Sequence, residues 1–255
     1  MLMSEIGHSN PFQEIVPNIH SDIFVDHETD RFAVGIVAIG GEVVPGLTNE
    51  YLGYGQLRAN QYLEKKFIST GDLNEDGTES DADDLRSVHF TVVENTGSET
   101  QIVGAMRLII KSSLDDSPLP VEHHYPEAFP TPATLGSVED SRLIAKHKSL
   151  TLLLFAAGVV YVRHHNLGPV YGVIEPKYAA VLNRQGVPVT LLGEPKYIPE
   201  INATKLPIRV DVNGLEHTIQ VSSNATMFSR MRDTLGSNFA YSGSVLHEPK
   251  EHGIA

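Results

Sequence analysis

The chain has 255 residues with 19 Lys or Arg against 32 Asp or Glu, a formal charge of -13; a general nucleic-acid binder needs a basic stripe to neutralise phosphates, and an anionic membrane surface repels such a chain for the same reason. The absence of cysteine excludes disulfides, thiolate zinc sites and a cysteine nucleophile together. Apolar residues make up 41%, which supports a sizeable core and argues against disorder over most of the length.

The first 45 residues hold Pro11, Pro17 and Pro45 and one apolar run, Phe32 to Ile39, closed by Gly40 and Gly41; they predict an N-terminal arm over 1–45 carrying one strand. The opening MLMSEIGHSNPF has neither the basic nor the apolar part of a signal peptide, so a cytoplasmic protein is expected. From Thr48 to Thr70, Leu52, Ala59, Tyr62, Leu63 and Phe67 share one helical face, which predicts a helix. Residues 72–84, DLNEDGTESDADD, carry seven acids and no apolar residue longer than Leu73, the composition of a solvated loop. Two β-rich runs follow, Ser87 to Glu94 and Gln101 to Lys111, joined by the turn residues of NTGSET into a hairpin.

Residues 112–136 are rich in Pro and Ser and read as an excursion, after which SVEDSRLIA, 137–145, resumes as a strand. Ser149 is placed as the N-cap of a helix that is apolar nearly all round from Leu150 to Val162. That pattern predicts burial, and the run is too short to span a bilayer. Asn166 and Gly168 end it, Val170 to Ile174 gives a strand, Pro176 and Gly186 bracket a further helix, and Val187 to Leu192 another strand. In PIRVDVNGLEHTIQV, Asn213-Gly214 suits a type I′ turn, predicting a C-terminal hairpin over 207–222 with Asp211 opposite Glu216. The core then spans 46–206, and 223–255 is a polar tail. The order of elements is that of an α/β protein with a mixed sheet.

Four segments, in order, carry a more specific signal. They are LRANQY with Arg58 and Tyr62, ESDADD with Glu79, Asp81 and Asp84 in an E-x-D-x-x-D pattern, IVGAMRLI with Gly104, Arg107 and Leu108, and VEDSRL with Glu139, Ser141 and Arg142. Together they resemble the acyl-homoserine-lactone synthases and the related N-acyl amino acid synthases, over about residues 55 to 200. The resemblance implies a GCN5-related acetyltransferase-like fold, with a mixed, mostly antiparallel central sheet flanked by helices. It implies an N-acyltransferase moving a fatty acyl group from an acyl carrier thioester, acyl-ACP or acyl-CoA, to an amine, with no tightly bound cofactor. The expected partners are an acyl carrier protein and a small amine or amino acid acceptor. The chain has no tryptophan, whereas the lactone synthases carry one near the acidic loop, and LIIKSS stands where they have L-L-P-T. These departures favour a free amino acid as acceptor over S-adenosylmethionine; an autoinducer synthase is the alternative.

Acyl transfer to an amine needs a proton acceptor, a stabilised thioester oxyanion and aligned partners. Glu139 is the candidate base, its pKa expected to rise through burial. Arg107 and Arg142 are expected to hold Glu139 and the acidic loop, or to bind an acceptor carboxylate bidentately; a purely structural ion-pair network is the plainer reading of the same residues. Arg58, Tyr62, Asp81, Asp84 and Ser141 are assigned to the substrate side, with Arg58 and the two aspartates ordering a lid. The usual pyrophosphate loop is absent between Arg142 and Ser149. In its place stand Lys146, His147 and Lys148 before a helix start, where cations and unpaired N–H groups attract a phosphopantetheine phosphate, and Arg163 can add to carrier docking; solvation of the strand-to-helix junction is the plainer reading.

Asp72, Asn74, Asp76 and Asp83 fit a calcium loop with Asp in place of the final Glu, which keeps open a non-catalytic acyl- or calcium-binding module of the same fold. None of the twelve histidines falls in H-E-x-x-H, and no catalytic metal is expected. G-x-S-x-G is absent, which argues against a serine hydrolase.

Overall fold

The computed structural model describes residues 25–26, 32–96, 100–112, 117–146, 148–184 and 187–215. The expected tail at 223–255, most of the segment before Phe32, and His147 lie outside the described residues.

Ten strands form the sheet: β1 (Val25–Asp26), β2 (Phe32–Ile39), β3 (Glu42–Val43), β4 (Ser87–Asn95), β5 (Thr100–Ile110), β6 (Val138–Ala145), β7 (Val170–Ile174), β8 (Val189–Leu191), β9 (Lys196–Ile198) and β10 (Ala203–Val210). Their main path is β1-β2-β4-β5-β6-β7-β10-β8, with β3 on β2 and β9 on β10. Every pairing is antiparallel except β6 with β7, so the mixed, mostly antiparallel sheet is the one expected. The helices are α1 (Thr48–Glu64), α2 (Pro120–His124), α3 (Lys148–His164) and α4 (Pro176–Arg184). The strand assigned to an N-terminal arm is interior to this sheet, because β2 pairs along its length with β4 and buries Val34 and Ile36 completely.

Helices α1 and α3 cover opposite faces. On β5, Met106 meets α3, where a Cβ on Gly158 would lie 2.9 Å from the Met106 methyl carbon. Its neighbour Arg107 joins Arg58 of α1 through a shared carboxylate, and successive strand residues point to opposite faces. Helix α3 is buried on Leu150, Leu153, Leu154, Ala156, Ala157 and Val159 to Val162, as its all-round apolar pattern predicts; it begins at Lys148, one residue ahead of the expected cap.

Helix α1 ends in a Schellman motif. Phe67 N–H donates to Tyr62 O and Lys66 N–H to Leu63 O, with Lys66 left-handed at φ 59. The accompanying apolar contact is Phe67 on Tyr62, ring centroids 5.8 Å apart.

The hairpin expected at Asn213–Gly214 is not formed there. Residues 212–215 make a helical turn, in which Asp211 O accepts Leu215 N–H and Asp211 Oδ1 accepts Asn213 N–H. The edge that a hairpin partner needs is taken: Ile208, Arg209 and Val210 pair with β7 on one side and β8 on the other. Aspartate is a favoured N-cap, so the local signal had a second outcome. Gly214 serves by its size, since a Cβ there would stand 2.7 Å from Asp211 Oδ2.

Two irregularities of β6 shape the centre. Arg107 pairs with Ser141 and Ala105 with Ile144, so Arg142 and Leu143 together oppose Met106. This is a β-bulge, with Arg142 at φ 63. The parallel ladder to β7 covers only Val138 to Asp140 against Val170 to Gly172. Beyond it β6 continues beside β5 and β7 beside β10, leaving the β7-facing edge of β6 without a partner strand among the described residues.

Candidate active site

Arg58 and Arg107 are 1% and 2% exposed, so their charges must be met inside the protein. The acidic segment meets them. Arg58 Nε donates to Glu79 Oε2 at 2.9 Å and Nη1 lies 3.1 Å from Asp84 Oδ1. Arg107 Nη1 bridges Asp81 Oδ1 at 2.5 Å and Asp84 Oδ1 at 2.7 Å. Arg142 Nη2 reaches Asp81 Oδ2 at 2.6 Å and Glu79 Oε1 at 3.2 Å. The bulge makes the last contact possible, because it turns Arg142 onto the face of Arg107. There its guanidinium lies 4.6 Å from the Tyr62 ring centroid.

Three arginines from α1, β5 and β6 thus close on three acids of one loop. Residues 72–84 are therefore a solvated loop only in part: Glu79 and Asp84 are buried. A helical turn, Ala82–Arg86, fixes the aspartates, since Asp81 Oδ1 accepts Asp83 N–H and Asp84 Oδ2 accepts Asp81 N–H. Burial pushes the Asp81 and Asp84 carboxyls up, but the arginines overcome it and hold both below the usual carboxylate range. Next to the ring, His89 Nδ1 lies 3.0 Å from Tyr54 Oη and Nε2 3.4 Å from Asp84 O. That geometry assigns the proton to Nε2, and burial lowers the imidazole pKa to about 4.

Glu139 stands apart from the ring. Its side chain is 1% exposed, Oε2 accepts Val121 N–H at 2.8 Å, and burial raises its pKa to about 8. The arginines expected to hold it contact the acidic loop instead: Arg107 pairs through Nη1 with Asp81 and Asp84, and Arg142 through Nη2 with Asp81 and Glu79. Ser141 lies opposite Arg107 in the ladder. The excursion seals Glu139 from above through α2. Lys111 Nζ grips both oxygens of Glu122 at 3.0 and 2.9 Å, and Glu122 accepts Leu119 N–H and Ala133 N–H, both at 2.7 Å. On the α3 face of β6, Asp140 Oδ1 is a buried atom without a hydrogen-bond partner, and burial raises that pKa to about 7.

Several of these groups escaped sequence reading. His89 and Asp140 sit singly in apolar or mixed strands, and Lys111 directly follows one. Glu122 had one local sign, Pro120 followed two residues later by an acid at a helix start.

Lys146 is exposed at the end of β6, its N–H donating to Val103 O, and Lys148 opens α3. The calcium-loop acids are spent on separate local partners: Asp72 on Ser69, Asp76 on Thr78 and Asp83 on Arg86. Among the described residues no three His, Asp or Glu side chains gather to hold a metal ion, and no helix is long and apolar enough to cross a membrane.

No protein-family model matches the chain, and no curated protein matches its sequence. In three dimensions it is similar to the CoA-dependent acyl-homoserine lactone synthase BjaI, seen with SAM and isopentyl-CoA, at a TM-score of 0.55 and 20% identity over 73% of this chain and 89% of that one. The AHL synthase LasI aligns at a TM-score of 0.54 and 18% identity, over 74% and 92% of the two chains. FeeM, an N-acyl amino acid synthase from uncultured soil microbes, aligns at 0.53 and 16%, over 77% and 99%. At these identities the likeness is one of fold, and the chain has the fold shared by the acyl-homoserine lactone synthases and the N-acyl amino acid synthase FeeM.

Proposed function

We propose that the protein is an acyltransferase that moves a fatty acyl group from a carrier thioester to the amine of an amino acid, giving an N-acyl amino acid. The observation that carries this reading is the opening between β6 and β7 directly past Asp140 and Gly172, beside the buried carboxyl of Glu139. An extended phosphopantetheine arm fits between strands that have parted, and the unpaired β6 edge offers backbone N–H groups to the thioester oxygen. Such donors, fixed before the reaction, stabilise the oxyanion as it forms.

In this reading the amine attacks the thioester carbon and the C–N bond forms. Glu139, directly or through one water, takes the amine proton, and the C–S bond then breaks to release the carrier thiolate. A carboxyl with a pKa near 8 accepts that proton more readily than an ordinary glutamate does. The arginine–carboxylate ring holds the acidic loop against α1, β5 and β6 as the wall of the acyl site. Lys146 and Lys148 receive an acidic carrier protein or the phosphates of CoA. The missing tryptophan and the LIIKSS segment support a free amino acid acceptor.

Mass spectrometry of lipid extracts from an expressing bacterium tests this. Acyl amino acids are expected, acyl lactones would transfer the assignment to an autoinducer synthase, and neither product would leave a non-catalytic member of the fold.

A further inference from the structure

Glu139 takes its hydrogen bond from a helix start that cannot hold itself in place. Helix α2 has five residues, too few to be stable alone. Pro120 at its first position has no N–H, so Val121 N–H is the first donor within the helix, and it is given to Glu139 Oε2 at 2.8 Å. A buried ion pair fixes that start. The Glu122 carboxylate accepts Leu119 N–H just ahead of the helix and Ala133 N–H near the far end of the excursion, while Lys111 Nζ holds both its oxygens. Lys111 is itself tied to the chain entering β6, its N–H donating to Ser137 O at 2.9 Å and its carbonyl accepting Gly136 N–H at 2.8 Å. Both side chains are buried. A brace therefore runs from the backbone just before Glu139, through Lys111 and Glu122, to the N–H on the Glu139 carboxyl.

A buried ion pair adds little net stability over apolar side chains of the same volume; these bonds instead fix a position. Burial pushes the Glu122 carboxyl up, but the two N–H groups and Lys111 outweigh it and hold it below the usual carboxylate range, so Glu122 stays ionised where Glu139 titrates. For Glu139, burial raises the pKa and Val121 N–H is the largest influence in the other direction, because a donor favours the ionised form. The other charges acting on it are Arg107 of β5, which lowers its pKa, and Asp83 and Asp140, which raise it; Tyr171 of β7 stands opposite it in the ladder. None of these belongs to the brace. The far end of α2 has its own anchors, since Tyr125 Oη donates to Lys205 O at 2.6 Å and Lys196 Nζ to His124 O at 2.9 Å.

We infer that Lys111 and Glu122 are positioning residues for Glu139, holding Val121 N–H on its carboxyl so that the ionised form is oriented and solvated when it receives the amine proton. The inference rests on the reading of Glu139 as the base of acyl transfer. Without the brace the helix start drifts from β6, and a carboxylate that is still buried loses a charge-assisted bond.

Lys111→Met/Glu122→Gln tests this, because it removes one charge of each sign and leaves the net charge around Glu139 unchanged. Two quantities are measured from about pH 6 to about 10, a range that brackets the base. One is the initial rate at low S-decanoyl-pantetheine with a mixture of amino acids, read as N-decanoyl products by mass spectrometry. The other is urea unfolding of wild type and double variant, each with and without Glu139→Gln, which isolates the stability that Glu139 removes as pH rises toward its folded pKa. In the double variant the acid limb of the rate and the pH at which that stability loss levels off should both move up by about 1 unit. Near pH 7 the rate should fall about 10-fold. The titration of the acceptor amine is common to both proteins and cancels. A purely structural pair would lower rate or stability at every pH and leave both midpoints in place, which would overturn the inference, as would a shift in only one of them. If the double variant does not fold, Glu122→Gln decides. Loss of its negative charge alone moves both midpoints down and only loss of the Val121 contact moves them up, so the absence of an upward shift overturns the inference. Unmoved midpoints in an active protein overturn the brace alone. If wild type makes no N-decanoyl product from S-decanoyl-pantetheine or from decanoyl carrier protein, the base reading fails and takes this inference with it.

Discussion

Replacing Glu139 by Gln separates the cost of burying this carboxyl from its use. Its ordinary pKa of 4.5 is raised to about 8 in the folded protein by burial. Between those two values the folded state holds a proton that the unfolded chain has released, so stability falls as pH rises through that window and levels off above it. The interval corresponds to on the order of 5 kcal/mol. In Glu139→Gln the amide oxygen can still accept Val121 N–H, and nothing ionises. Near pH 5 the two proteins should therefore be about equally stable, and near pH 9 the variant should be the more stable by up to about 5 kcal/mol. Asp140, also shifted upward, is present in both proteins and largely cancels in the difference. Urea unfolding followed by circular dichroism at pH 5, 7 and 9 measures it, and parallel stability–pH curves would show that Glu139 is solvated and the burial reasoning mistaken. Turnover should move the other way. Wild-type rate should climb with pH through about 8 as the carboxylate is freed, and the folded variant should lose about 100-fold or more. A folded variant with near-normal turnover would remove Glu139 from the mechanism.

Three further outcomes follow from the geometry. Arg58→Gln and Asp84→Asn should each cost about 3 kcal/mol, because each strands a buried partner, and their double variant should cost clearly less than the sum by denaturant titration; strict additivity would mean the two act independently. Lys66→Gly should stabilise the protein by about 0.5–1 kcal/mol, since a left-handed C′ position suits glycine, and an unchanged or lower melting temperature would refute that account of the α1 terminus. Lys146→Glu/Lys148→Glu should raise KM for acyl carrier protein steeply while sparing a short acyl-pantetheine, with wild-type activity on the carrier falling as salt is added; equal losses on both donors would confine these lysines to the arm or to the fold.

The sequence by itself determined the elements whose signal is local and strong. The all-round apolar run of α3, the β4–β5 hairpin, the strand Val170–Ile174 and Pro176 at the start of α4 stand where periodicity and capping place them. The four motif segments also named the partners of the ring, Arg58, Arg107, Arg142, Glu79, Asp81 and Asp84. Tertiary structure decided what each of them touches. One extra residue in β6 turns Arg142 to the face of Arg107, so both arginines meet the acidic loop while Glu139 is left to a backbone N–H of α2. Neither a bulge nor a strand separation leaves a local mark, because each depends on which neighbours a strand finds across the sheet. The Asn213–Gly214 segment shows the same limit from the other side. Its turn chemistry allowed a hairpin, but β7 and β8 already occupied both edges of β10, so the chain closed into a helical turn on Asp211 instead.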